Sequence, residues 1–306
     1  MENMDLWKKT LKILKTAEYD NIKPEYNNEF FIANKHVDKT IESEILDQNG
    51  LLLYKATGTI THIWNNYFSV ITNKGEKLIC LDSPKIITAY KFIPSQEPKI
   101  PCRTEVYRQY IDEKGNILFP QLEFRRAYGF YENRSVNINL DWDYEIIDGN
   151  GNYIFGKDFL ELGQHYSEGL LFARDKKGQS GFVDYDGTFK FLIPLLNNNE
   201  DIVIATHFYK GKAIVNTVDK GICLIDKAGN IIKEKIPVTW FYDFCEDYAI
   251  VTRSNNSCNF LSLNGDFLLK EDADNIKDFC NGYAIISIHD KDALVDKNGQ
   301  IIYMNN

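Results

Sequence analysis

The sequence lacks the patterns that mark several common functional classes. Its six cysteines include no Cys-x-x-Cys pair, which argues against a zinc site or a thioredoxin-like redox site. It also contains no Gly-x-Ser-x-Gly elbow, phosphate-binding P-loop or His-Glu-x-x-His motif, so nucleophilic, phosphate-cradling and zinc-protease chemistry have no support. We therefore expect a protein that is not an enzyme and that uses no cofactor.

Long apolar runs and excess basic charge are missing as well. No apolar run approaches the roughly 20 residues of a membrane-spanning helix. The first 15 residues contain four lysines but no apolar core of the kind an export signal needs. These features predict a cytoplasmic protein that does not contact membranes. The formal net charge of -9 argues against a nucleic-acid partner, because phosphate contacts require a concentrated basic surface.

A four-residue turn of the form Asp-x-x-Gly recurs along the chain, with Asp184-Tyr185-Asp186-Gly187 as a clear example. The turn glycines stand at 50, 115, 151, 187, 229, 265 and 299, at intervals of 65, 36, 36, 42, 36 and 34 residues. Asp82 falls inside the first interval, with Lys85 where glycine is expected. The chain therefore contains about eight copies of a unit of about 36 residues, a period typical of repeat architectures.

The turn aspartates could be interpreted as catalytic carboxylates or calcium ligands. The residues concerned are Asp47, Asp82, Asp112, Asp148, Asp184, Asp226 and Asp296. They occur once per repeat, whereas a calcium loop needs several ligands on one segment, and Ser262 replaces one of them. We predict that each accepts hydrogen bonds from the backbone N–H groups that follow it, and that the glycine provides the positive φ.

A second motif, an aromatic residue followed by a turn, precedes each of these hairpins; Tyr166, Phe208, Phe244 and Phe279 are examples. Alternating β-branched and aromatic residues on either side indicate a series of antiparallel hairpins. The predicted fold is an all-β repeat array over residues 18–306, and a β-propeller is favoured over an open β-solenoid of stacked hairpins. Residues 1–17 are predicted to form an N-terminal capping segment, either a short helix or a strand.

The repeat resembles the WG repeat family of bacterial β-repeats. Residues 166–194 carry the closest likeness, in which Tyr166-Ser167-Glu168-Gly169-Leu170 precedes Gly181-Phe182-Val183-Asp184-Tyr185-Asp186-Gly187. The sequence departs from the family at its name-giving tryptophan, which is replaced by Ser180 and Lys220. The resemblance implies an interaction scaffold, and it provides no catalytic residues to transfer.

One recurring position suggests a ligand site, namely the residue before the aromatic anchor, with Ile63 taken as the anchor of the second repeat. Titratable side chains occupy it in six repeats: Glu25, His62, His165, His207, Asp243 and Asp278. In a closed array equivalent positions form a ring, where three histidines and three carboxylates could bind a metal or a cationic ligand. The alternative is a solvated position at the start of a strand, where any polar residue serves.

The function expected from the sequence is a non-enzymatic β-repeat scaffold that binds another protein. A narrower hypothesis makes it an accessory or neutralising partner in a bacterial conflict system. The alternative from a different class is a propeller-type hydrolase or carbohydrate-binding protein with its site at the central channel. The aromatic and basic segment 124–128 could contact a partner or a glycan, or could be a loop or blade edge.

Overall fold

The fold was analysed in a computed structural model, which describes residues 21–24, 30–38, 40–47, 50–73, 75–89, 91–103, 107–195, 205–279, 282–289 and 291–304. The predicted capping segment 1–17 and Glu25 lie outside these residues. All regular elements within them are β-strands, and none is a helix that could span a bilayer. The chain divides into two compact units, residues 1–157 and 158–306.

The first compact unit contains four antiparallel sheets, which we call blades 1 to 4, and each is formed by four strands consecutive in sequence. Blade 1 comprises β1 (Asn21–Pro24), β2 (Phe30–Val37), β3 (Thr40–Asp47) and β4 (Leu52–Thr57); blade 2 comprises β5 (Thr59–Trp64), β6 (Tyr67–Thr72), β7 (Gly75–Cys80) and β8 (Ser83–Ala89); blade 3 comprises β9 (Lys91–Phe92), β10 (Ile100–Arg103), β11 (Arg108–Ile111) and β12 (Ile117–Leu118); blade 4 comprises β13 (Arg126–Ala127), β14 (Arg134–Ile138), β15 (Tyr144–Asp148) and β16 (Tyr153–Phe155).

The second compact unit contains blades 5 to 8, again antiparallel and sequential. Blade 5 comprises β17 (Phe159–Leu162), β18 (Leu171–Asp175), β19 (Ser180–Val183) and β20 (Phe189–Leu192); blade 6 comprises β21 (Lys212–Thr217), β22 (Gly221–Asp226) and β23 (Ile231–Lys233); blade 7 comprises β24 (Trp240–Cys245), β25 (Tyr248–Thr252) and β26 (Cys258–Ser262); blade 8 comprises β27 (Asn275–Ile276), β28 (Tyr283–Ile288), β29 (Lys291–Asp296) and β30 (Ile301–Met304). Among the described residues, blade 6 also has the isolated bridges Leu195 with Thr217 and Ala205 with Val215, and blade 7 has Leu261 with Phe267 and Cys258 with Ala273.

The core lies between consecutive blades, and the middle strands of a blade contribute to two clusters at once. In β21, Ala213 and Val215 pack with Phe182 of blade 5, whereas Ile214 packs with Phe241 of blade 7. Successive strand residues point to opposite faces, and here both faces are covered. This double burial explains why the middle strands are apolar at almost every position.

The Asp-x-x-Gly turns connect the last two strands of blades 1, 3, 4, 5, 6 and 8, and the hydrogen bonds that the sequence predicts form there. At Asp112, Asp148, Asp184, Asp226 and Asp296, Oδ1 accepts the N–H groups of the second and fourth following residues at 2.8 to 3.1 Å. In blade 7 the hydroxyl of Ser262 accepts the equivalent pair at 3.3 and 3.1 Å. The turn glycines all have positive φ, so the aspartates have a structural role.

The second blade corrects one part of this pattern, because Asp82 does not begin a four-residue turn. The strands β7 and β8 are joined by Leu81 and Asp82 alone, and Cys80 pairs with Ser83. Cys80 also pairs with Tyr67, which is the relation that Asp226 has to Lys212 in blade 6. Cys80 therefore occupies the position that the sequence assigned to Asp82. A shorter connection removes the need for both the aspartate and the glycine.

The turns after the aromatic anchors are type I′ hairpin turns in several blades. Both central residues have positive φ, as at Glu168 (54°) and Gly169 (80°), and this is the turn that matches the right-handed twist of paired strands. The glutamate in this turn also holds the next blade. Glu168 accepts the N–H of Gly211 at 3.0 Å, and Glu246 accepts the N–H of Gly282 at 2.8 Å. The Glu of the repeat motif thus connects consecutive blades.

A comparison of Gly178 with Gly229 separates the cost of a side chain at positive φ from the cost of a steric clash. Gly178 and Gly229 have similar φ values of +85° and +82°, but an added Cβ would meet nothing within 4 Å at Gly178 and would lie 2.5 Å from Cδ2 of Phe191 at Gly229. We expect Gly178→Ala to lower the free energy of unfolding by about 1 to 2 kcal/mol, and Gly229→Ala by at least about 1 kcal/mol more. Urea denaturation of the two variants measures this difference, and equal losses would contradict it.

Candidate functional site

The sequence position before the aromatic anchor brings several titratable side chains together in the second compact unit. The anchors Tyr166, Phe208 and Phe244 are all buried and stand at the same place in blades 5, 6 and 7. The preceding residues, His165, His207 and Asp243, therefore meet from blade to blade. We refer to these three residues as the His–His–Asp cluster.

The two histidines of the cluster form a stacked pair. Their ring centroids are 3.5 Å apart and their planes differ by 17°. The lone pairs of an imidazole lie in the plane of its ring, so those of two parallel rings run side by side and do not converge. A single ion could not take both at the 2.0 to 2.1 Å that a zinc–nitrogen bond requires.

His207 connects this pair to Asp243. Its backbone N–H donates to Oδ1 of Asp243 at 2.8 Å, and its ring Nδ1 lies 3.0 Å from the same oxygen. The ring nitrogen is buried but poorly aligned for a hydrogen bond, so we treat the ring contact as electrostatic and the backbone bond as the one that fixes the geometry. The Asp243 side chain is 54% exposed, so water reaches this end of the cluster.

Burial and neighbouring charge set the protonation of the cluster. The pKa of His165 is lowered to about 3, mainly by burial; the effect of His207 adds to this lowering, and the smaller effect of Asp243 opposes it. Partial burial opposes the charged form of Asp243, but its contacts with His207 and the nearby His165 outweigh this and hold its pKa below the ordinary value. At neutral pH the cluster therefore contains a neutral imidazole at its inner end and a carboxylate at its outer end.

The other predicted site residues are not part of this cluster as the structure describes it. His62 lies in the first compact unit, where its Nε2 is 2.7 Å from the carbonyl oxygen of Asn65 and its ring is edge-on to Phe68. Asp278 is exposed, and its charge contributes, after burial, to a raised pKa of about 11 at Cys245. Glu25 lies outside the described residues.

The metal hypothesis gains no support from the residues that the structure describes. Among them, no group of three or more histidine, cysteine, aspartate or glutamate side chains is arranged to hold a metal ion. The solvated-strand alternative does not describe the cluster either, since both imidazoles are largely buried and in contact. The arrangement is a polar contact between three blades, in which burial keeps His165 neutral at neutral pH.

Comparison with known proteins identifies the fold. No family model matches the sequence, and no curated protein is similar to it. BamB from Moraxella catarrhalis is a similar solved structure, with a TM-score of 0.54, 12% identity and 92% of each chain covered. The dihydro-heme d1 dehydrogenase NirN in complex with DHE has a TM-score of 0.56 and 13% identity, covering 90% of this chain and 72% of that chain. The fold is an eight-bladed β-propeller, as the sequence predicted.

The His–His–Asp cluster makes the stability of the protein depend on pH. The native state keeps His165 neutral until its pKa of about 3, whereas the unfolded chain takes up that proton near pH 6.5. The free energy of unfolding should therefore fall as the pH decreases from about 6.5 to about 3, by up to about 1.4 kcal/mol per pH unit from this residue. His165→Gln should flatten that slope, as measured by urea denaturation across the window.

The exposed histidine His36 is the matched control, because it lies outside the cluster and His36→Gln removes the same titratable group. His36→Gln should retain the wild-type slope. If His165→Gln and wild-type protein lost stability equally between pH 6.5 and 4, the buried neutral imidazole would be the wrong description.

Proposed function

We propose that the protein is a non-enzymatic β-propeller scaffold that binds another protein. The propeller fold supports this, because it displays many short strands and loops at its surface. The His–His–Asp cluster adds to the support, since its stacked rings join blades rather than converge on a reacting atom. The fold alone does not determine the function, which depends on the residues at the surface.

The observation that carries the proposal is a set of exposed apolar side chains on the fourth strands. Leu52, Ile117, Tyr153 and Ile301 each stand two residues after the turn glycine and are 43 to 53% exposed. The fourth strand is an edge strand of its sheet, with backbone groups that no neighbouring strand of the blade occupies. Exposed edges of this kind are templates for another chain.

Blade 1 has the most exposed of these edges. Leu51, Leu52 and Leu53 are consecutive in sequence and are 64, 49 and 42% exposed. A strand normally alternates exposed and buried residues, so three exposed leucines in a row are not explained by packing within blade 1. Contiguous exposed apolar surface commonly marks a protein-binding site, and we propose that the partner docks on the edge formed by Leu51–Leu53 and β4.

The finer parts of the proposal rest on the sequence. The resemblance to WG repeats supports an interaction scaffold. We propose a cytoplasmic location and a role as accessory or neutralising partner in a bacterial conflict system.

The docking edge can be tested by affinity capture with wild-type protein and the double variant Leu51→Glu/Leu53→Glu. Burying two leucines contributes about 3 kcal/mol, so replacing both with charged residues should weaken partner binding by about 100-fold or more. A partner recovered in stoichiometric amount by wild-type protein should be lost from the double variant. Surface plasmon resonance with the purified partner then gives the affinity ratio.

Leu160→Glu/Leu192→Glu is the matched control, because Leu160 and Leu192 are 57 and 53% exposed on blade 5 and the two changes introduce the same charge elsewhere. It should retain the partner. Recovery of the same proteins by all three forms would overturn the docking edge. Recovery of a bound glycan or a substrate-like small molecule, with no stoichiometric protein, would overturn the scaffold itself.

A further inference from the structure

A small cleft in the first compact unit is lined almost entirely by arginine and aromatic side chains. It has a volume of about 250 Å³, and its lining is Arg103, Tyr107, Arg108, Arg125, Arg126 and Trp142. We call it the arginine cleft. Four of the seven arginines of the chain lie here. Positive charge is therefore concentrated at one site in a protein whose net charge is -9.

Strand pairing creates this concentration. Arg103 at the end of β10 is directly opposite Arg108 at the start of β11, and Lys91 of β9 is opposite Arg103 on its other side. Arg108 also bridges Phe124, the residue immediately before Arg125 and Arg126. The backbone register therefore places cations from three neighbouring strands and the following segment at one edge.

This arrangement is unfavourable for the protein alone. Like charges directly opposite each other destabilise an antiparallel pair. Burial is the largest cause that lowers the pKa of Arg108; Tyr128 opposes it, and the charges of Arg103 and Arg126 have smaller effects that lower it further. Within the part of the chain that the structure describes, the ion pairs involve other cations, and no carboxylate pairs with these four arginines.

One of the guanidinium groups is held in position by its surroundings. The guanidinium of Arg125 lies over the ring of Trp142, 4.6 Å from its centroid, and its Nε donates to the carbonyl oxygen of Leu140 at 2.7 Å. Trp142 itself is 63% exposed and has a φ of +71°, a conformation that is unusual for an aromatic residue. Stacking on Trp142 and one hydrogen bond fix the guanidinium of Arg125. Among the described residues, its terminal N–H groups make no hydrogen bond.

The neighbouring loop explains how Trp142 is held in that conformation. Oδ1 of Asn139 accepts the N–H of Asp141 at 2.9 Å and the N–H of Asp143 at 3.0 Å. This is the local side-chain turn that asparagine forms. The turn therefore holds the exposed indole of Trp142 at the edge of the cleft, where all the charged lining residues are arginines.

We propose that the arginine cleft binds a phosphate monoester, with the guanidinium groups of Arg108, Arg125 and Arg126 donating to its oxygens. Planar guanidinium groups match the geometry of phosphate oxygens and bind them by paired hydrogen bonds. A dianion would also relieve the repulsion between Arg103 and Arg108. The cleft has room for a phosphoryl group and a small attached portion, whereas a nucleic-acid strand would need an extended basic surface. The proposal is independent of the docking edge on blade 1.

Calorimetric titration tests the proposal with inorganic phosphate, phosphoserine and phosphotyrosine, at constant ionic strength in sodium chloride. At least one of the two esters should bind to wild-type protein, and binding of inorganic phosphate alone would contradict an ester as the ligand. Serine and tyrosine should not bind. Arg126→Gln, at an exposed position, should weaken binding by about tenfold or more, and Lys190→Gln, a surface lysine on blade 5, should leave the affinity unchanged.

Thermal unfolding provides a second readout that does not depend on the affinity. The bound ligand should raise the unfolding midpoint of wild-type protein and of Lys190→Gln but not that of Arg126→Gln. Without ligand, Arg126→Gln should unfold no earlier than wild-type protein, because the change removes repulsion. Failure of all three ligands to bind, equal binding to Arg126→Gln, or tighter binding of an oligonucleotide without terminal phosphate would overturn the proposal.

Discussion

Burial between consecutive blades is the interaction on which the rest of the structure depends. A blade of three or four short strands has two apolar faces, as Ala213, Ile214 and Val215 show by packing alternately toward blade 5 and toward blade 7. Neither face can be covered by the blade itself, so each repeat requires its neighbours. The aromatic anchors help to cover these faces. Phe208 of blade 6 packs edge to face on Phe182 of blade 5, with the ring centroids 4.9 Å apart.

Close contact between blades also restricts their polar groups, because a buried polar atom without a partner is costly. The repeat meets this restriction locally at the turns. Each turn aspartate accepts backbone N–H groups of its own hairpin, and the turn glutamates Glu168 and Glu246 accept an N–H of the next blade. The buried hydroxyl of Tyr110 in blade 3 also has a partner outside its own hairpin, because it donates to the carbonyl oxygen of Tyr128 at 2.8 Å.

The sequence was sufficient for the features that repeat and insufficient for those that depend on pairing between distant segments. The turn at Asp184 could be predicted because its residue types satisfy the hairpin by local chemistry alone. Asp82 was misplaced because spacing cannot distinguish a four-residue turn from a two-residue connection. The spacing of His165, His207 and Asp243 showed that they are equivalent, but the stacking of the rings follows from the distance between blades, which a single sequence does not contain. The sequence singled out Arg125 and Arg126 within segment 124–128 but not the arginine cleft as a whole, since only the β10–β11 register places Arg103 opposite Arg108.

The surface features that hairpin geometry does not require are therefore the ones that carry functional information. Turn aspartates, turn glycines and aromatic anchors all have a structural reason to recur, and their recurrence says nothing about a ligand. Three consecutive exposed leucines and four arginines without a described carboxylate partner lower the stability or solubility of the protein when it is alone. Features that cost stability are retained where another molecule offsets the cost. The two lie in the same compact unit but differ in chemistry, one apolar and one cationic, so an apolar partner edge and an anionic ligand can be recognised without competing for the same side chains.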